Sequence, residues 1–348
     1  MKKIFFVTGA TGFVGSNLVK KLYEEKQNKR ALFFLLARDK KNISAEGRVS
    51  RLFPSAYTMK GDVCLGPNLG LSQKDYRLLK KLSSDYEIEF WHAAGCISFD
   101  EASCDETFLV NFEGTKNVVE FCKNIGIERI HYISTAYVAG DRRNLNKNKW
   151  IAYEREDWVS QKLRNPYEES KLRAEIYLRE KGKEFGLEFT CYRISVAVGR
   201  YENGFANNFS GYYNFCKFIT LRDRMQNGFR EVKPIEMRVP KNATVNICCV
   251  DWMATLIAEI SKKKESVGKV FHISNPDPPK SSWLMIKSLD VLSGLGIRVD
   301  GIKIFTYDDS LKKLAKAPES PIEMTFSYYQ DYAESEIIFD NTNVRAVL

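Results

Sequence analysis

Histidine is scarce in this chain, with three among 348 residues, and these form no spaced cluster with other ligand types. No C-x-x-C occurs either, so a metal centre is not expected. The eight cysteines are scattered at 64, 96, 104, 122, 191, 216, 248 and 249, several inside apolar strand-like runs. That pattern fits reduced, buried thiols and a cytoplasmic protein. Long apolar runs are missing too. The longest, "ALFFLLA" (31–37), falls well short of the roughly 20 residues a membrane span needs, which argues against integral membrane association. The opening "MKKIFFV" sets two lysines before an apolar stretch, as a leader does, but glycines at 9, 12 and 15 interrupt it and it reads as a first buried strand. There is no internal repeat and no low-complexity tract.

What is present is the composition of a globular protein, 44% hydrophobic and 28% charged. Its length suits one large domain, or a domain with a smaller partner. A net charge of +9 favours phosphate-bearing or acidic partners. The basic residues are dispersed and form no aromatic-interleaved stripe, so nucleic acid is not expected.

Apolar runs and amphipathic segments alternate through the first half. "KIFFVTG" (3–9), "ALFFLLA" (31–37), "SAYTMKGDV" (55–63), "EIEFWHAAG" (87–95), "RIHYISTAYV" (129–138) and "EFTCYRISVAV" (188–198) read as strands buried on both faces. Helical patterns at 15–26, 72–84, 107–124 and 168–185 separate them. This order predicts an α/β fold: a Rossmann-like doubly wound parallel sheet. Beyond residue 199 the regularity lapses, and "KVFHISNP" (269–276) returns as a last strand. The expected division is a dinucleotide-binding domain of 1–199 plus 244–275, with a smaller, discontinuous C-terminal substrate lobe of 200–243 plus 276–348.

The first strand runs into "TGATGFVGSNLVKKLYEE", with Gly9, Gly12 and Gly15 opening a helix. Glycines there permit a tight turn, close approach of a pyrophosphate and close helix–strand packing, and the helix N-terminus offers N–H donors to the anion. The second strand ends "LLARDKK", placing Arg38 where a dinucleotide fold reads the adenosine ribose. A guanidinium there favours the 2′-phosphate of NADP; the neighbouring Asp39 keeps NAD as the alternative. The strand ends "KGDV" (60–63) and "HAAG" (92–95) fall where adenine and ribose should lie, and Ala93, Ala94 and Gly95 are small enough for close approach.

The pattern Y-x-x-x-K occurs at Tyr76/Lys80, Tyr167/Lys171, Tyr177/Lys181 and Tyr213/Lys217. Only Tyr167/Lys171 follows a helix-starting Asn165–Pro166 and lies downstream of a strand ending in Ser134–Thr135. At i and i+4 the two side chains share one helical face.

Together, "TGATGFVG", "LLAR", "GDVCLGPNLGLS", "HAAGCISF", "NFEGTKNVVEF", "HYISTAYVAG", "NPYEESKLRAE", "YRISVAVG" and the terminal "IFDNTNVRAVL" resemble an extended short-chain dehydrogenase/reductase, of the branch of fatty acyl-CoA reductases and thioester reductase domains. The resemblance spans nearly the whole chain and is best over 1–200. It implies Thr135, Tyr167 and Lys171 as catalytic residues. It also implies a cofactor site formed by Gly9, Thr11, Gly12, Phe13, Val14, Gly15, Arg38, Asp62, Val63, Ala93, Ala94, Gly95, Asn111, Tyr167, Lys171, Ile194 and Ser195. The implied reaction is NADPH-dependent reduction of an acyl thioester to aldehyde, and on to alcohol if a second hydride follows.

The chain departs from the pattern where "YRIS" replaces an Arg-Pro pair. It also holds no adenylation or carrier domain, so the acyl group is expected on coenzyme A or on a separate acyl or peptidyl carrier protein, through phosphopantetheine. The aromatic stretch "GFANNFSGYYNFCKFI" (204–219) suits either an acyl channel or a lobe-packing helix. Lys233, Arg238 and Lys241 fall near the expected cleft mouth, as phosphate contacts or as solvated surface charges. Two other readings compete: an extended reductase, epimerase or dehydratase acting on a sugar nucleotide or another carbonyl or alcohol, and a non-catalytic NADP-binding sensor. Retention of the Tyr/Lys pair favours an enzyme.

Overall fold

The structure, a computed structural model, describes residues 2–25, 30–142, 151–155, 157–225, 235–307 and 330–348. Seven parallel strands form the central sheet: β1 (Lys2–Thr8), β2 (Leu32–Ala37), β3 (Tyr57–Lys60), β4 (Tyr86–His92), β5 (Arg129–Thr135), β6 (Glu188–Ile194) and β7 (Val270–Ile273). Their spatial order is β7-β6-β5-β4-β1-β2-β3. The winding reverses between β1 and β4, so the carboxyl ends of those strands open a crevice.

Strand β1 shows why the runs are continuously apolar. Ile4 and Phe6 point into one core, with Phe90, Phe121 and Leu178. Phe5 and Val7 point into the other, with Leu18, Trp91 and Met253. Alternate side chains leave opposite faces of the sheet, and helices cover both. The covering helices include α1 (Phe13–Glu24), α2 (Gln73–Leu82), α3 (Gly114–Ile125), α4 (Pro166–Phe185) and α6 (Val250–Ser261), whereas α5 (Tyr213–Met225) and α7 (Ser281–Gly294) pack in a separate apolar cluster.

Three expected elements differ in detail. The run 129–138 stops as a strand at Thr135 and continues as a 3-10 turn, Ala136–Ala139. The run 188–198 leaves the main sheet at Ile194; Val196–Val198 pairs instead with Ile247–Cys249. The helix expected over 107–124 is interrupted by a π turn, Leu109–Glu113. An apolar cluster of Phe215, Phe218, Ile219, Met237, Val239, Met285 and Leu292 unites α5, α7 and the strand Ile235–Pro240. That strand pairs in parallel with Ile302–Tyr307.

The C-terminal residues return to the sheet edge. Ile338–Phe339 pairs with Ile151–Ala152. Asn341 and Asn343 donate to the carbonyls of His272 and Val270, at 3.0 and 2.9 Å. The buried Glu154 carboxylate accepts from the backbone N–H of both His272 and Asn343.

Candidate functional site

The glycine loop is built from steric necessity. Gly9 has φ +71°, and a Cβ there would stand 2.4 Å from the Ala93 carbonyl oxygen. A Cβ on Gly15 would stand 2.2 Å from the Gly9 oxygen. Larger residues are excluded at both positions, so β1, α1 and the loop after β4 meet backbone to backbone. No side chain caps α1 at Gly12 and its first turn carries no acid. Its N–H groups therefore face the crevice and suit a pyrophosphate.

Below this floor runs a buried polar chain. His92 contacts Thr8 Oγ1 at 2.8 Å and Thr115 Oγ1 at 3.1 Å, and Thr115 donates to the Asn111 carbonyl at 2.6 Å. Burial drives the His92 imidazole down to about 3, so it stays neutral. Asn111, on the π turn, accepts from Cys96 N–H at 2.8 Å and donates to Cys96 O and to Ser170 Oγ. It buttresses the loop after β4 against α4 from beneath.

Helix α4 starts as its sequence predicts: Asn165 Oδ1 accepts from Glu168 N–H at 3.0 Å, and Pro166 occupies the first turn. Tyr167, Lys171 and Glu175 follow at four-residue intervals on one face. The Lys171 ammonium donates to the Ile133 carbonyl at 2.7 Å and lies 4.4 Å from the Tyr132 ring centroid. Burial lowers its pKa to about 8. Burial raises the Tyr167 phenol to about 12, while a hydrogen bond with Thr135 pulls it the other way. Glu175 anchors this face. It accepts from the Ser134 hydroxyl and from Arg193 Nη2 at 2.7 Å, all three residues being buried. The "YRIS" departure thus retains an arginine on β6 that pairs with α4.

The other Tyr/Lys pairs serve packing. Tyr177 meets Phe112 edge to face, the Tyr213 hydroxyl takes the Gly199 N–H, and Lys80 donates to the Asn124 carbonyl.

Thr135, Tyr167 and Lys171 line one cavity of about 300 Å³ with Gly9, Gly12–Gly15, Ala93–Gly95, Ile194 and Ser195. Its other wall is mainly apolar, with Ile97, Phe99, Phe215 and Met285 beside the polar Asn208 and Ser210. The stretch 204–219 thus supplies wall and core at once, since Phe215 belongs to both. Tyr332 completes that wall; its hydroxyl donates to Glu168 Oε1 at 2.7 Å and its ring lies 5.3 Å from Phe99.

Thr11, Arg38, Asp62, Val63 and Asn111 lie outside this cavity. Arg38 pairs with Asp62 at 2.9 Å. Arg48 donates to Thr11 Oγ1 at 2.5 Å and to the Arg38 carbonyl at 2.7 Å, so two guanidiniums sit at the end of β2. Asp39 is otherwise engaged, held by Lys60 at 2.8 Å and by Ala45 N–H, contacts that lower its pKa. Val63 is buried and its carbonyl accepts from Asn117. Lys233 lies outside the described residues; Arg238 pairs with Glu236 and Lys241 is exposed.

Sequence reasoning missed Arg48, Glu175, Arg193 and Tyr332. A charged residue inside the apolar run "EFTCYRI", and a glutamate eight positions after Tyr167, were the available signals for the Glu175–Arg193 pair. Among the described residues no group of His, Cys, Asp and Glu could hold a metal, and no helix is long and apolar enough to cross a membrane.

A family profile described as male sterility protein, an NAD-binding family, matches residues 7–257. A Drosophila melanogaster protein assigned to the fatty acyl-CoA reductases is 32% identical over 154 residues, covering 38% of this chain and 28% of its own length. The 3β-hydroxysteroid dehydrogenase type 7 of Mus musculus is 24% identical over 307 residues, covering 86% of this chain and 74% of its own. Among solved structures, the terminal R domain from the myxalamid biosynthetic pathway superposes with a TM-score of 0.73 at 22% identity, covering 100% of this chain and 85% of that domain.

Proposed function

The chain belongs to the male sterility protein family, an extended branch of the short-chain dehydrogenase/reductases, and from that premise we propose that it reduces an acyl thioester to an aldehyde with NADPH. One observation carries the reading: a single cavity is lined by the glycine loop, Tyr167, Thr135 and Lys171, and is bordered on its other side mainly by apolar and aromatic side chains. Such a wall suits an acyl chain better than a sugar nucleotide.

When bound at this site, NADPH would supply the hydride that reduces the carbonyl carbon. As negative charge develops on the carbonyl oxygen, Tyr167 gives it a proton and Thr135 donates a hydrogen bond to it. Lys171, in its ammonium form, stabilises the phenolate left behind and orients the nicotinamide ribose. The hemithioacetal then loses its thiol, giving aldehyde. Gly9, Gly12 and Gly15 would hold the pyrophosphate, and Ile194 and Ser195 would lie on the nicotinamide side. NADP is favoured over NAD because Arg38 and Arg48 stand together at the end of β2, where a 2′-phosphate would fall, while the Asp39 carboxylate is already engaged by Lys60. The acyl carrier is coenzyme A or a carrier protein, and the site of action is the cytoplasm. The proposed dinucleotide-binding unit is residues 1–199 plus 244–275, joined at the sheet edge by the C-terminal return of 338–348, and the substrate lobe is drawn from 200–243 and the part of 276–348 that precedes that return.

The test is NADPH consumption with a panel of acyl-CoAs and acyl-pantetheines, trapping aldehyde and counting free thiol. One thiol and one aldehyde per NADPH are expected, with Tyr167→Phe slower by at least about 100-fold. NADPH bound but unspent on every thioester would overturn the reading. The alignment along 86% of the chain with a hydroxysteroid dehydrogenase makes oxidation of a steroid alcohol the second reading, distinguished by its ketone product.

A further inference from the structure

Tyr332 stands where three parts of the cavity wall meet. It is buried, and belongs to the helical residues 330–333 that precede the C-terminal return. Its hydroxyl lies between two side chains at the start of α4: it donates to Glu168 Oε1 and accepts from Asn165 Nδ2, each at 2.7 Å. Those two residues flank Tyr167 in the chain. The Tyr332 ring packs edge to face on Tyr137 at 4.8 Å, in the 3-10 turn that directly follows Thr135. The same ring stacks on Phe99 at 5.3 Å, and Phe99 lies 5.9 Å from the Tyr167 ring.

Both hydrogen bonds act on the helix start. The Asn165 amide has its oxygen on the Glu168 N–H at 3.0 Å and its NH2 group on Tyr332. The acceptor hydroxyl therefore fixes which way the amide faces, and with it the cap of α4. Glu168 is fully buried, and it also accepts from the N–H and Nη1 of Arg164, at 2.8 and 3.0 Å. Without the Tyr332 hydroxyl, the Asn165 amide loses an acceptor and a buried carboxylate loses a donor. Groups left short of partners in the interior are costly, so the first turn would shift to find others.

We infer that Tyr332 is a positioning residue: it fixes the first turn of α4 against the turn after Thr135, and so sets how the Tyr167 and Thr135 hydroxyls converge. This rests on the reading above of Tyr167 as proton donor. The two hydroxyls must meet one carbonyl oxygen, yet they come from different elements, a helix start and a strand end. Tyr332 touches both elements, and through Phe99 it also backs the Tyr167 ring. Misplacing such a pair by about 1 Å costs up to about 100-fold in rate. None of these contacts is with the glycine loop, so cofactor affinity should not depend on them.

The test is Tyr332→Phe in the full chain, which removes one oxygen and keeps the ring. Hydrogen exchange read by mass spectrometry should show the amides of 167–170 exchanging at least about tenfold faster, with those of 172–180 within about twofold of the wild type. Unchanged exchange in the first turn overturns the inference. So does an equal acceleration along all of α4, which marks a general loss of stability. In turnover of an acyl thioester, kcat should fall at least about tenfold, with the KM for NADPH within about twofold and a larger solvent deuterium isotope effect on kcat. A loosened first turn with kcat unchanged overturns the inference too. If Tyr332→Phe does not fold, Asn165→Ser cuts the same link from the helix side. It keeps a cap acceptor for the Glu168 N–H while removing the donor to Tyr332, and the same pattern is expected; wild-type exchange and kcat in that variant overturn the inference. If the wild type reduces no thioester while the exchange pattern holds, the thioester reading falls and the hold of Tyr332 on α4 stands.

Discussion

Replacing Lys171 by methionine separates chemistry from stability. The Lys171 side chain is buried, and its pKa lies near 8, against 10.5 for a solvated lysine. Between those values the folded chain binds fewer protons than the unfolded one, so stability rises with pH across that window. The contribution is complete above 10.5 and absent below 8. At neutral pH the buried ammonium therefore costs the folded state about 3 kcal/mol. Methionine fills a similar volume, carries no proton, and gives up one hydrogen bond to the Ile133 carbonyl, worth about 1 kcal/mol. The variant should thus be more stable than the wild type at pH 7 by about 2 kcal/mol. The wild type should recover about 2 kcal/mol by pH 9.5 and erase the difference, while reductase turnover in the variant is lost at both pH values. Urea unfolding of both proteins at the two pH values measures this. A variant less stable than the wild type at pH 7, with a deficit that does not grow with pH, would refute the reasoning.

Three further outcomes follow from other contacts. Arg48→Ala should raise the KM for NADPH at least tenfold while leaving that for NADH nearly unchanged, read from initial rates with each cofactor. Arg193→Met strands the buried Glu175 carboxylate and should cost about 3–5 kcal/mol in denaturant unfolding; adding Glu175→Leu should restore much of it. Glu154 has its pKa raised to about 7 by burial, so the folded state holds a proton the unfolded state has lost between 4.5 and 7. Stability should fall as pH rises through that window, and Glu154→Gln should flatten the dependence in thermal melts at pH 5 and 7.5.

Much of this architecture was legible because it is local. Continuous apolar runs report strands covered on both sides, and the glycines at 9, 12 and 15 report a turn that tolerates no side chain. Asn165–Pro166 marks a helix start on its own, which is how Tyr167/Lys171 separates from three chance pairs. What escaped notice depends on distance in space. Tyr332 reaches Glu168 across 164 residues, and nothing near it in sequence records that partner. Arg48 is one of several arginines in a polar stretch; only its contact with Thr11 reveals its use. The π turn at Leu109–Glu113 keeps the apolar pattern of a helix, so periodicity alone cannot show that Asn111 is turned beneath the loop at Cys96. Glu175 and Arg193 look like ordinary charges until α4 packs on β6.

The return of the C-terminal segment to the sheet bears on how this protein behaves in a crowded solution. An uncovered outer strand presents a row of backbone donors and acceptors that a second molecule can extend, the route by which sheets fuse into aggregates. Along β7 the Val270 carbonyl and the His272 N–H and carbonyl are already taken by the side chains of Asn343, Glu154 and Asn341. Side-chain partners satisfy the groups without offering a new ladder, so the sheet terminates there instead of inviting another copy. At the opposite end β3 is only four residues long, too short to seed an extended pairing. The residues that close the fold therefore also limit its self-association.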